Sequence, residues 1–223
     1  MFLISRRTML ARAACSVAGL AAGMAYVREA LAQGEIKPGV YGVKGPVTIN
    51  GQPMKRGQLV SNGDAIASGN GGEAVVIVER DAFLIRGNSQ IEFLPPEDKA
   101  PAGVMRVLAG RILSVFTPSR GKALRTQTAT IGIRGTGAYL EASPEVSYIC
   151  ICYGEAQLDA VADAAQSEVV RTTHHDSPRY VYATAATGPL ITLAPMINHT
   201  DAELIYLEGL VGRKVPFSGP MRY

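Results

Sequence analysis

The chain has 223 residues, 47% of them apolar and 18% charged, so it can bury a proper core, is not disordered overall, and is too short for a large multidomain enzyme. Twenty-four glycines and 13 prolines beside no tryptophan suit many short strands and turns, and the fold class read from composition is all-β. Of the 22 basic and 19 acidic residues, Arg6, Arg7, Arg12, Arg28 and Glu29 lie in the first 32 positions, leaving 18 of each sign beyond them. A neutral remainder has no electrostatic footprint for nucleic acid, which excludes that class of partner.

In chain order, Ser5-Arg6-Arg7-Thr8-Met9-Leu10 precedes an alanine- and glycine-rich stretch from Ala13 to Val27 and then Ala30-Leu31-Ala32. This is the order of a charged region, an apolar region and a small-residue cleavage site, and the paired arginines resemble a twin-arginine export signal. The expectation is a cleavable leader over residues 1–32, cut after Ala32, with the rest delivered to a bacterial periplasm. The apolar stretch is too short and too weakly apolar for a membrane span, so no integral membrane protein is expected after cleavage.

From Val47 to Phe93, short apolar runs alternate with breaks such as Asn50-Gly51, Asn62-Gly63-Asp64 and Gly69-Asn70-Gly71-Gly72. Each run is too short for a helix, and each break carries residues suited to positive φ. Pro95-Pro96-Glu97-Asp98-Lys99 marks an exposed connection. Further strands are read at Val104–Leu108, Arg111–Phe116, Leu124–Ile133, Gly137–Glu141 and Val146–Tyr153, which predicts a jelly-roll-like β-sandwich, with a β-solenoid as the alternative. The alanine-rich stretch 159–168 reads equally as a short helix or a loop. Thr200-Asp201-Ala202-Glu203 is a capping box opening a run with Leu204, Leu207 and Val211 on one face, closed by Gly212 and Pro216. One short C-terminal helix near 201–211 is expected, packed on the sheet. The organisation is thus 1–32 leader, 33–160 β domain and 161–223 C-terminal extension.

Four segments together resemble the FecR family domain. They are Gly57 to Gly69, Gly71-Gly72-Glu73-Ala74-Val75-Val76, Val107-Leu108-Ala109-Gly110-Arg111-Ile112, and Ile131-Gly132-Ile133-Arg134-Gly135-Thr136. The resemblance covers about residues 40 to 160 and implies an all-β, jelly-roll-like periplasmic domain of the kind that helps pass a ligand signal across the envelope. Signal-transducing FecR proteins carry a cytoplasmic N-terminal region and a true membrane helix where this sequence has 32 residues read as a leader, so the expectation is that only the periplasmic module carries over. The implied function is a non-enzymatic binding or scaffold module, its partner an envelope protein or a small ligand. The motif residues also have structural jobs: Gly63-Asp64 can form a tight turn with the Asp side chain on backbone amides, and Arg134 before Gly135-Thr136 can pair with a carboxylate.

Two cysteines follow the leader, Cys150 and Cys152, in Tyr148-Ile149-Cys150-Ile151-Cys152-Tyr153. On a strand they face the same side, with Ile149 and Ile151 on the other. Their Cα atoms would stand about 6.6 Å apart, at the upper edge of disulfide geometry, so a bridge would be strained. His174, His175 and His199 are the only histidines, and two thiolates with imidazoles are a ligand set for zinc or copper. The alternative function is therefore a periplasmic metal-binding protein using Cys150, Cys152 and His174 or His175, with His199 in reserve. A strained disulfide or an inert pair of core thiols are the competing readings of the cysteines. A cupin-like metalloenzyme is the third functional class. No facial set of histidines and carboxylate, phosphate loop or nucleophile elbow is visible at a recognisable spacing, and His199-Thr200-Asp201 is read as a helix start rather than as triad chemistry.

Overall fold

A computed structural model describes residues 36–95, 103–118, 121–185 and 187–218. The expected leader over 1–32 and most of the expected connection after Pro95 lie outside the described residues. The elements are β1 (Gly39–Lys44), β2 (Val47–Ile49), β3 (Gln52–Pro53), β4 (Ala65–Ser68), β5 (Glu73–Val78), β6 (Asp81–Ile85), β7 (Gln90–Leu94) and β8 (Val104–Val115). They continue with β9 (Lys122–Arg125), β10 (Ala129–Ile133), β11 (Gly137–Ala142), β12 (Val146–Ala160), β13 (Ser167–Thr172), β14 (Arg179–Tyr182), β15 (Ile191–Leu193) and one helix, α1 (Asp201–Leu210).

The strands form two layers around one core. Sheet I runs β1-β5-β6-β8-β11-β12-β14-β15, and sheet II runs β3-β2-β4-β7-β8-β9-β10-β12-β13. All pairs are antiparallel except β8 with β9, so the chain is a sandwich and not a solenoid of stacked parallel coils. The inner faces meet through Val76, Phe83, Ile85, Ile112, Leu140, Ile149 and Ile151 from sheet I and Ile66, Ile91, Val107, Leu124, Ile131 and Leu158 from sheet II.

The long strands β8 and β12 belong to both layers, and each turns the corner at a glycine. β8 leaves sheet II after Ala109, and from Gly110 (φ 94) onward it pairs with β11 in sheet I. β12 leaves sheet I after Tyr153, and Gly154 (φ 93) starts its pairing with β13. A Cβ on Gly154 would lie 2.8 Å from both the Gly135 carbonyl oxygen and Thr136 Cγ2, so neither the torsion nor the space admits a side chain.

Just before that corner the ladder between β11 and β12 slips. Gly137 opposes Tyr153 while Ala138 opposes Ile151, which leaves Cys152 as an extra residue. The phase of burial changes with it: Ile149 and Ile151 point into the sandwich core before the slip, and Ala156, Leu158 and Ala160 after it. Cys150 and Cys152 therefore both face the outside of sheet I, as strand alternation predicts, and the bulge keeps Tyr153 out of the sandwich core too.

The outer face of sheet I is also dry. Leu84, Leu113, Tyr139 and Cys150 pair in one row across β6, β8, β11 and β12, and all are buried yet outside the sandwich core. Helix α1 packs against β6 and β8 with Leu204, Leu207 and Leu210 buried. The predicted capping box is present: the Thr200 side chain accepts from the Glu203 amide, and Glu203 accepts from the Thr200 amide. Burial on both faces explains why β5 and β6 read as near-continuous apolar runs.

Of the two readings of the stretch 159–168 the structure takes the loop: β12 runs to Ala160, residues 161–166 form the connection, and β13 starts at Ser167. Beyond residue 160, β13 and β14 both pair with β12, and the chain from Lys37 onward is one compact unit.

Candidate metal centre

Four side chains from three distant segments meet on the outer face of sheet I. Cys150 and Cys152 come from the bulged part of β12, His175 from the turn between β13 and β14, and His199 from the residue before the helix cap. All four are buried, and their donor atoms all lie within 4.8 Å of one another. Cys150 Sγ is 3.5 Å from His175 Nδ1, Cys152 Sγ is 3.4 Å from His199 Nε2, and the two nitrogens are 3.0 Å apart. Zinc–sulfur bonds of about 2.3 Å and zinc–nitrogen bonds of about 2.05 Å at tetrahedral angles require S···N edges of about 3.6 Å and an N···N edge of about 3.3 Å. The three observed edges match within a few tenths of an ångström.

The outward nitrogens decide what the inward ones can do. His199 Nδ1 lies 2.7 Å from the Ile197 carbonyl oxygen, which can only accept, so the ring proton sits there and Nε2 turns a lone pair inward. His175 Nε2 lies 3.1 Å from Asp201 Oδ1 and donates to that carboxylate, turning the Nδ1 lone pair inward. The two inward nitrogens stand 3.0 Å apart with a thiol beside each, an arrangement that a cation between them would satisfy. Ring protons held by a carbonyl and a carboxylate are the usual outer support of metal-bound imidazoles. The Cys152 thiol beside Cys150, helped by the two imidazoles, draws the Cys150 thiol down to about 4 against its burial, while burial pushes the Cys152 thiol up.

The backbone is held in unusual conformations where the histidines enter. His175 has φ 54, and Asn198, just before His199, has φ 60. For histidine this left-handed region is uncommon, and such torsions gather at functional sites. The His175 amide is fixed by the Cys152 carbonyl at 2.9 Å, which ties the turn to the bulge. Asp176 shapes the turn from the other side, accepting from the Thr173 and His174 amides, and these bonds, with the Thr173 amide foremost, hold its carboxyl below the usual range. Tyr139 stacks on the His199 ring at 4.4 Å and closes the centre toward β11.

The adjacent histidines divide their work. His175 joins the thiols, whereas His174 Nε2 reaches Asp201 Oδ1 at 2.8 Å and its ring stacks on Phe217 at 4.1 Å. Asp201 thus serves both imidazoles while beginning the helix, where a first-turn acid is already favoured. Sequence reasoning placed Asp201 only in the helix start. The signal for its second part was the close spacing His199-Thr200-Asp201, which brings the carboxylate to the same place as the ring.

The FecR-like motif residues take structural positions. Asp64 accepts from the Ser61 amide at 2.8 Å and the Asn50 side chain at 2.7 Å, fastening the turn at Gly63. Arg134 pairs with Glu155 at 2.8 Å across the sheet II corner, Gly135 packs against Pro118, and Thr136 is buried behind it. None of these lies among the four donors. Tyr180 packs edge-on against Tyr148 at 5.7 Å as a cross-strand pair.

No family model matches this chain, and no curated protein matches it. Among solved structures it is similar to two crystal structures of a "putative anti-sigma factor" from Parabacteroides distasonis ATCC 8503, at 1.65 and 2.50 Å resolution. They show 14% and 13% identity, each with a TM-score of 0.47 and each match covering 58% of this chain and 58% of that one. The likeness therefore spans less than two thirds of those chains. Among the described residues, no helix is long and apolar enough to cross a membrane.

Proposed function

We propose that this chain is an exported, non-enzymatic, FecR-like module of the bacterial cell envelope that acts by binding, and that its centre holds a transition-metal ion, zinc in the first place, on Cys150, Cys152, His175 and His199. One observation carries the metal reading: two imidazole lone pairs meet at 3.0 Å, their rings' other nitrogens committed outward, with two thiols closing the set. Two sulfurs and two nitrogens at tetrahedral spacing suit zinc before other divalent ions.

The same donor set supports binding rather than turnover at this centre. Four protein ligands complete a tetrahedron, and a catalytic zinc needs a position left for water or substrate. Two thiols among the ligands are also unlike the histidine and carboxylate set of a cupin-like enzyme. The leader's composition supports export and cleavage after Ala32, and the partner of the module is an envelope protein or a small ligand.

The test is elemental analysis of the protein purified after export through its own leader, beside a Cys150→Ser, Cys152→Ser double variant. One equivalent of zinc in the parent and none in the variant is the expected result. One equivalent of copper would keep the site and correct the ion. Metal-free protein, when reduced and offered zinc, would overturn the metal reading and leave the thiols as buried core residues.

A further inference from the structure

Resting on that reading, we infer that the metal ion is a lock on the C-terminal segment: its occupancy decides whether residues 194–212 stay seated on the outer face of sheet I. The donors belong to three pieces of chain that no continuous element joins. Cys150 and Cys152 sit on a central strand of sheet I, His175 on a turn, and His199 at the end of an irregular stretch after β15. An ion bound by all four ties the start of α1 to the middle of the sheet across the sequence separation of 47 from Cys152 to His199.

Besides the four donors, that end of the segment is held by single polar contacts and one ring stack: the Ala194 amide donates to the Pro178 carbonyl, the Ile197 amide to the Tyr148 hydroxyl and the Asn198 side chain to Glu141, and Tyr139 stacks on His199. From Ala194 to Thr200 it forms no strand or helix, and β15 before it is an edge strand with an exposed Leu193. A ten-residue helix is shorter than those that persist alone in water, so α1 depends on what it packs against. Its far half is anchored well: Leu207 and Leu210 are buried, and Glu208 accepts from Tyr153 and pairs with Arg213. Its near half is held by the buried Leu204, by the partly exposed Arg86–Glu203 pair and by Asp201, which is bonded to His175 of the centre and to His174 beside it.

Taking the ion away acts on the near half first. His199 is then no longer tied to Cys150, Cys152 and His175, and the positive-φ torsion at His175 loses the ligation that would compensate it. Releasing His199 and Asp201 together frees the helix start. What that uncovers is the apolar row of Leu84, Leu113 and Tyr139. The lock is thus a metal-dependent cover over an apolar strip of sheet I, and the strands of sheet II take no part in it.

Hydrogen exchange on the full exported chain tests this, comparing zinc-loaded protein with the same sample after chelation and again after zinc is restored. The expected result is at least tenfold faster exchange over residues 197–207 on chelation, reversed by zinc, with β7 and β10 unchanged. His199→Ala should show the fast exchange even in the presence of zinc, and the chelation arm stands if that variant does not fold. Stoichiometric zinc with unchanged exchange over α1 would overturn the lock and leave the metal site intact. Acceleration across both sheets would overturn it as well, making the ion a condition of the whole fold. Failure of the protein to take up zinc at all would instead refute the reading on which the lock rests.

Discussion

Asp201→Asn separates a carboxylate that supports a metal ligand from one that merely begins a helix. In the structure Asp201 Oδ1 accepts from His175 Nε2 at 3.1 Å and His174 Nε2 at 2.8 Å. Asparagine keeps the size and an acceptor oxygen but loses the charge, and hydrogen bonds to an ionised acceptor are about twice as strong as neutral ones. The His175 ring then becomes a poorer electron donor at Nδ1. Loss of such outer support weakens metal affinity by about 10- to 100-fold, which is about 1.4 to 2.7 kcal/mol. The same substitution removes a first-turn acid, lowering helix stability by about 0.3 to 1 kcal/mol whether or not metal is bound. Competition for zinc against a chromophoric chelator reads the first effect, and urea denaturation of the metal-free proteins reads the second. A zinc affinity within twofold of the parent, with stability reduced, would refute the argument and leave Asp201 as a helix-start residue only.

Gly154→Ala should destabilise the fold by about 1 to 3 kcal/mol from its torsion alone, and further through contact with the Gly135 carbonyl, seen as a lower urea midpoint at unchanged slope. An unshifted midpoint would mean that β12 turns its corner without needing that torsion. Leu207→Ala should lower stability by about 2 to 5 kcal/mol because the side chain is fully buried, whereas the half-exposed Ile205→Ala should stay within about 0.5 kcal/mol. Equal effects at the two positions would contradict the seating of α1. Glu168 pairs with Arg179, which holds its carboxyl below the ordinary value of 4.5, so its contribution is present above that pH and is lost as pH falls through the folded-state value. Being part-exposed, the pair contributes less than about 1 kcal/mol, and the melting temperatures of the parent and Glu168→Gln should differ at pH 7 and converge toward pH 3. Parallel curves would remove the pair from the ledger of stabilising contacts.

Local chemistry was legible wherever a rule acts over a few residues. Period-2 alternation put Cys150 and Cys152 on one face, Asn-Gly and Gly-rich breaks marked the turns, and Thr200 to Glu203 announced the helix with its cap. The stretch 159–168 left helix and loop open because alanine-rich composition suits a helix, while pairing of its ends between β12 and β13 makes it the loop of a hairpin. Of the adjacent histidines, periodicity allowed one at the thiols but could not say which. The left-handed torsion at His175 and the Cys152 carbonyl on its amide made that choice.

By itself, then, the sequence determined the all-β class, the strand faces, the helix and the kinds of donor side chain available, because each follows from backbone periodicity or from the chemistry of single residues. Only the tertiary structure decided that His175 and His199 reach the same two sulfurs, that Asp201 accepts from both His174 and His175, and that the outer face of sheet I is covered. Those facts depend on closing loops of 23 residues from Cys152 to His175 and 47 from Cys152 to His199. Such closures are settled by the summed packing of two sheets and a helix, which no window along the chain contains.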